Sequence, residues 1–261
     1  MMAVSNRFVD ADNAAQSGTC VLKGLKDTVL YSLVDVITYA VVRHPEMVGM
    51  DFDGEVFLAL DHYDTMSVAD KGTLSPDQVG AIHFYTQPTI FYRILNSSLA
   101  SRNEEMYLPF FPFMKLFLSG VYQRPLVPTM TVYRGINKSM LDTYPVGKSV
   151  CWWQITSTTD NLGAVSDFLG KQQKQHTIFA IKTRCLVSIA KFSAIPAEDE
   201  YILLPLTFLK VKAFLSEANM VQLEEMSSPP LLDYLHPQLQ VYRFLHLSYF
   251  IIYVYILIYY V

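Results

Sequence analysis

The hydrophobic pattern changes its period near Pro128, and this change restricts the fold more than any other feature of the chain. Before Pro128 the apolar spacing is helical. Leu30, Leu33, Val34, Ile37 and Val41 line one stripe of a helix expected over Asp27–His44, stopped by Pro45. Gly54–Met66 predicts a second helix. Ser75-Pro76-Asp77-Gln78 is a stronger start signal: Ser75 can cap, Pro76 suits the first helical position, and Gln78 completes a capping box. That helix is expected to run to about Thr86, with further helices over Ile90–Ser101 and Met106–Gly120. After Pro128 the apolar runs are short and bounded by turn residues. They predict strands at Met130–Arg134, Ser149–Ile155, Thr177–Lys182, Leu186–Lys191, Glu200–Leu204, Phe208–Phe214 and Met220–Glu224. One short helix, Asp160–Leu169, is expected between them, capped by Thr159 or Asp160. Helices followed by strands, without regular alternation, predict an α+β fold and argue against a Rossmann sheet.

The expected organisation is an N-terminal extension over 1–24, a helical lobe over 25–127, a β-core over 128–232, and an apolar C-terminal tail over 239–261 outside the folded unit. Just over half of the residues (51%) are hydrophobic, so a globular body is expected, not a disordered one. The net charge of −4 gives no support for binding to a phosphate backbone, and no nucleic-acid partner is expected. Cys20, Cys151 and Cys185 are odd in number and fit neither a zinc site nor a disulfide framework, so no metal is expected. Gly147-Lys148-Ser149 looks like the end of a P-loop. The motif needs a glycine where the chain has Asp142, so a nucleotide P-loop is rejected. Of Trp152 and Trp153, strand alternation sends one ring to each face. Asn96-Ser97-Ser98 and Asn137-Lys138-Ser139 are glycosylation sequons that matter only on a secretory route.

Three stretches concentrate the chemistry. Val132-Tyr133-Arg134-Gly135 ends the first expected strand, Ile155-Thr156-Ser157-Thr158-Thr159 follows the second, and Glu198-Asp199-Glu200 runs into Tyr201-Ile202-Leu203-Leu204. In extended chain Glu198 and Glu200 share one face while Asp199 points away, and paired carboxylates suit stabilising a cation or moving a proton. An arginine on one strand, Ser-Thr-Thr on a second and Glu-x-Glu on a later one resemble the R-S-E class of arginine-specific mono-ADP-ribosyltransferases. Leu74-Ser75-Pro76-Asp77-Gln78 and Ala81-Ile82-His83-Phe84-Tyr85-Thr86 are similar to the start of that family's helical lobe. The likeness runs from about Ser75 to Leu232.

The resemblance implies the family fold, a helical lobe packed on a mainly antiparallel split β-core, and an enzyme that transfers ADP-ribose from NAD (or NADP) to a protein arginine. It assigns Glu200 to stabilising the ribosyl cation and Glu198 to orienting and deprotonating the acceptor guanidinium. Arg134 would hold the NAD phosphates through its planar fork. Gly135 would let its backbone approach the nicotinamide amide, with Tyr133 beside it. Ser157 would support the nicotinamide-ribose end and orient the glutamate, with Thr158 and Thr159 completing the binding strand. The family often has serine where this chain has Thr159. Phe168 is a candidate for stacking on nicotinamide, although packing into the core is the simpler role for a helix residue. Two alternatives stay open: an inactive relative that binds NAD or a protein partner, and an enzyme that mainly hydrolyses NAD.

The first twenty residues lack the basic start and apolar run of a signal peptide, so a cytoplasmic or tail-anchored chain is expected. Phe244–Val261 carries no charged residue and is slightly shorter than the roughly 20 residues that span a bilayer core. A membrane anchor, a lipid-anchor signal with Ser227 and Ser228 at the attachment region, and a stretch foreign to the native enzyme are the alternatives.

Overall fold

In the N-terminal half, the helix starts at Leu33, Val68, Pro76 and Glu104 each carry a side-chain cap. The computed structural model describes residues 24–25, 27–169, 176–184, 186–195 and 200–227, with only the backbone of Asp167, Phe168 and Ser227. Cys20, Cys185, Glu198 and the tail lie outside the described residues. The helices are α1 (Leu33–Arg43), α2 (Asp53–Thr65), α3 (Val68–Lys71), α4 (Pro76–Thr86), α5 (Phe91–Ser101), α6 (Glu104–Tyr107) and α7 (Phe111–Val121). α1 starts later than its apolar spacing suggests because Ser32 caps it, accepting the Asp35 amide at 3.2 Å. At α4 both halves of the expected capping box form: the Gln78 amide donates to Ser75 Oγ at 3.2 Å, and the Ser75 amide to Gln78 Oε1 at 3.0 Å. The single helix expected over Met106–Gly120 is instead broken into α6, a 3-10 turn at Leu108–Phe110, and α7. Pro109 and Pro112 explain this, because proline lacks the N–H that an uninterrupted helix needs and fits the first turn of a new one.

The lobe is filled by aromatic rings. Phe91 meets Phe113 at 4.8 Å, Phe84 at 5.1 Å and Phe110 at 5.4 Å between ring centroids, all edge-on. Such pairs add about 0.5–1.5 kcal/mol each beyond the area they bury.

The C-terminal half is β1 (Met130–Ile136), β2 (Ser149–Trp152), β3 (Thr156–Thr159), α8 (Leu162–Leu169), β4 (Thr177–Thr183), β5 (Leu186–Ser188), β6 (Glu200–Leu203), β7 (Thr207–Leu215) and β8 (Met220–Ser227). The strands form one sheet in the order β2-β7-β8-β4-β1-β3-β6-β5, antiparallel except for β4 beside β8. The strand expected over Ser149–Ile155 is corrected. β2 ends at Trp152 and pairs with β7, whereas the hydroxyl-rich run forms its own strand, β3, between β1 and β6. The chain crosses from one half of the sheet to the other through Trp153–Ile155. That crossing puts Trp152 in the core of the first half, its indole N–H donating to Tyr144 Oη at 3.0 Å, and packs Trp153 against the core shared with the helical lobe. β5 is also shorter than expected, since the chain turns back at Ile189, whose carbonyl accepts from the Phe192 and Ser193 amides.

β6 joins the two layers by alternation. Ile202, and Leu204 just beyond the strand, enter the helical-lobe core with Ile155 and Phe192, whereas Leu203 faces the opposite cluster around Trp152 and Phe179. Tyr85 Oη of α4 donates to the Ile155 carbonyl at 3.0 Å, tying the lobe to the chain just before β3.

Candidate active site

β1 and β3 pair at a single position, Tyr133 opposite Thr159. Thr159 in turn pairs with Glu200 of β6, so Tyr133, Thr159 and Glu200 form one row across three strands. Beyond that row the strands part. Residues 134–136 stay paired with β4, while residues 156–158 stay paired with β6. Arg134 lies at the start of this opening, and its Nη1 donates to the carbonyl of Ser157 on the other side. The split therefore gathers Arg134, Ser157 and Glu200, residues far apart in the chain, within two residues of one cross-strand row.

Glu200 is 8% exposed, and its Oε2 accepts a hydrogen bond from Ser193 Oγ at 2.9 Å. Ser193 is 3% exposed. A carboxylate this buried requires such a donor, because desolvating an ion without hydrogen bonds is costly. Ser193 belongs to none of the three chemistry-bearing stretches. Its only signal in the sequence is a lone hydroxyl in the apolar run Phe192–Ile195.

The remaining expected site residues have distinct surroundings. Thr158 is buried, and its Oγ1 donates to the Tyr201 carbonyl at 3.0 Å. Thr159 Oγ1 accepts from the Asn161 amide at 3.2 Å. Asn161 Oδ1 then accepts from the Ala164 amide at 3.1 Å, so the cap of α8 falls one residue beyond Asp160. Gly135 is the position where α8 crosses β1. A Cβ there would meet Val165 Cγ1 at 2.8 Å and Leu169 Cγ at 3.0 Å. Tyr133 packs on the same small cluster of Val165, Leu169 and Ile178. Phe168 lies in α8, with its side chain outside the described residues, as is all of Glu198.

Residues set aside in the sequence have structural explanations. Lys148 Nζ donates to the Thr143 carbonyl, and Gly147 makes a left-handed turn (φ +89°) that leads into a strand, not into a phosphate-binding helix. Asn96 of the first sequon is 4% exposed, and its Nδ2 donates to Tyr85 Oη at 3.1 Å, so it is no acceptor for a glycan in the folded chain. Burial pushes the Cys151 thiol up to about 12, against the opposing pull of Arg102, which leaves it unreactive.

Comparison with solved structures finds the same fold in known ADP-ribosyltransferases. HopU1 of Pseudomonas syringae pv. tomato DC3000 is 19% identical, with a TM-score of 0.57 over 76% of this chain and 99% of its own. A mutant of the eukaryotic mono-ADP-ribosyltransferase ART2.2 in complex with NADH is 17% identical, with a TM-score of 0.55 over 78% of this chain and 86% of its own. Vis of Vibrio splendidus, in complex with agmatine, is 16% identical, with a TM-score of 0.51 over 73% of this chain and 91% of its own. No curated protein sequence is significantly similar to the chain. Residues 53–228, which hold α2 through β8 and all three strands of the site row, match the model of the NAD:arginine ADP-ribosyltransferases, and the chain belongs to that family of NAD-consuming transferases.

Proposed function

We propose that this ADP-ribosyltransferase moves ADP-ribose from NAD to the guanidinium of a protein arginine and releases nicotinamide. The observation that carries the reading is the placement of Arg134, Ser157 and Glu200 around the opening between β1 and β3. NAD is the substrate. Its bond between C1 of the ribose and the nicotinamide nitrogen breaks through an oxocarbenium-like state, and nicotinamide leaves neutral, so no general acid is required. Glu200 stabilises the developing cation through the ribose 2′-hydroxyl, a preorganised charge of the kind that is often the largest catalytic contribution. Arg134 binds the phosphates, and Ser157 supports the ribose end. Glu198, two residues before Glu200, pairs with the incoming guanidinium and takes its proton. A carboxylate suits that acceptor because a free guanidinium stays charged at neutral pH. The family description and the agmatine bound to Vis, itself a guanidine, support the same acceptor class.

Incubation of the protein with labelled NAD and polyarginine tests this. Label should enter polyarginine, Glu200→Gln should abolish both transfer and NAD hydrolysis, and Glu198→Gln should lose transfer while keeping part of the hydrolysis. NAD cleavage without labelled polyarginine, or equal loss of both activities in Glu198→Gln, would rule out arginine transfer through Glu198.

A further inference from the structure

We propose that Ser193 is a positioning residue for Glu200, held in place by the helical lobe; this rests on Glu200 being the catalytic carboxylate. The Ser193 hydroxyl has one proton. The Ile195 amide donates to its oxygen at 3.1 Å, so that proton is left to point at Glu200 Oε2, 2.9 Å away.

The loop carrying Ser193 is fixed from behind on both sides of that residue. His83 Nδ1 lies 2.9 Å from the Phe192 carbonyl; since a carbonyl only accepts, the ring proton sits on Nδ1. The Ala194 amide donates to Thr86 Oγ1 at 2.8 Å, and Thr86 spends its own proton on the His83 carbonyl at 2.7 Å. His62, stacked on His83 at 4.2 Å, reaches the Lys191 carbonyl at 3.3 Å. Phe192 itself is 1% exposed in the helical-lobe core. α2 and α4 therefore set the height and direction of the Ser193 hydroxyl, and the hydroxyl sets the side-chain rotamer of Glu200. The β6 ladder fixes only the backbone of that glutamate.

Ser193→Ala, Ser193→Thr and Thr86→Val are compared with wild type by steady-state NAD consumption, with melting curves to confirm folding. Ser193→Ala should lower kcat by about tenfold to a hundredfold, the range for one hydrogen bond to a charged group, and leave KM for NAD within about twofold. Ser193→Thr keeps the hydroxyl and should recover most of the loss. Thr86→Val, which frees the loop at Ala194 without touching Ser193, should lower kcat severalfold at unchanged KM. Should Ser193→Ala fail to fold, Thr86→Val decides alone. A loss carried by KM, or kcat unchanged in both Ser193→Ala and Thr86→Val, would overturn the inference while leaving Glu200 as the catalytic group. Wild-type protein that consumes no NAD would overturn the catalytic reading of Glu200 and this inference with it.

Discussion

Arg134 and Ser157 are joined across the opening between β1 and β3, the guanidinium of the first donating to the backbone carbonyl of the second. In a continued ladder Arg134 would face Thr158 and bond to β3 only through its backbone; here the side chain spans the gap left by the parted strands. One arginine thus links the two halves of the sheet, and the same guanidinium is the one proposed to bind the NAD phosphates.

Replacing Arg134 by lysine separates charge from shape. Lysine keeps the charge but loses the rigid planar fork that can donate to Ser157 with one nitrogen and grip a phosphate with the others. We expect KM for NAD to rise about tenfold, the cost of one charge-assisted hydrogen bond, with a smaller change in kcat. Initial rates over a range of NAD concentrations check this, and an unchanged KM would remove Arg134 from NAD binding.

Gly135 is expected to tolerate no side chain. A Cβ at 2.8 Å from Val165 Cγ1 and 3.0 Å from Leu169 Cγ must push α8 off β1. Gly135→Ala should destabilise the fold by about 1–3 kcal/mol, the usual range for overpacking. The denaturant midpoint measures it. Equal stability would mean that α8 shifts freely on the sheet.

His44 gives the stability a definite pH dependence. It is fully buried, its Nδ1 accepts from the Glu46 amide at 3.3 Å, and its Nε2 lies 3.0 Å from Ser98 Oγ, so the neutral ring with its proton on Nε2 is the form that fits. Burial holds its pKa below the ordinary 6.5, with Glu46 opposing. The His83 pKa is lowered as well, by burial and then by His62, against the Phe192 carbonyl. A lowered pKa in the fold means that the unfolded chain takes up the proton first as pH falls. The stabilisation is therefore complete above about 6.5 and is lost as pH drops from there towards the folded value. Urea midpoints should fall on acidification through that window, and His44→Gln should flatten the dependence. A midpoint that rises on acidification would contradict the neutral assignment.

Local chemistry was legible wherever a residue acts on its near neighbours. The Ser75–Gln78 capping box closes within four residues, and helical and strand periods reflect a backbone geometry that repeats every few positions, so the α+β order could be read directly. Even the misread helix over Met106–Gly120 was broken by a local cause, the missing N–H groups of Pro109 and Pro112. The motif residues Arg134, Ser157 and Glu200 could be named from their order along the chain. Their convergence could not. Ser157 became part of a strand because β6, more than forty residues away, supplies the backbone partners for β3, and no local pattern encodes a partner at that distance. Gly135 reads as the glycine that ends a strand until α8 is packed on it, and Ser193 reads as an isolated polar residue until β6 delivers Glu200 beside it. Hydrogen bonding along the chain is decided by a few adjacent residues. Hydrogen bonding across it depends on which segments share a core, and only the assembled sheet and helical lobe decide that.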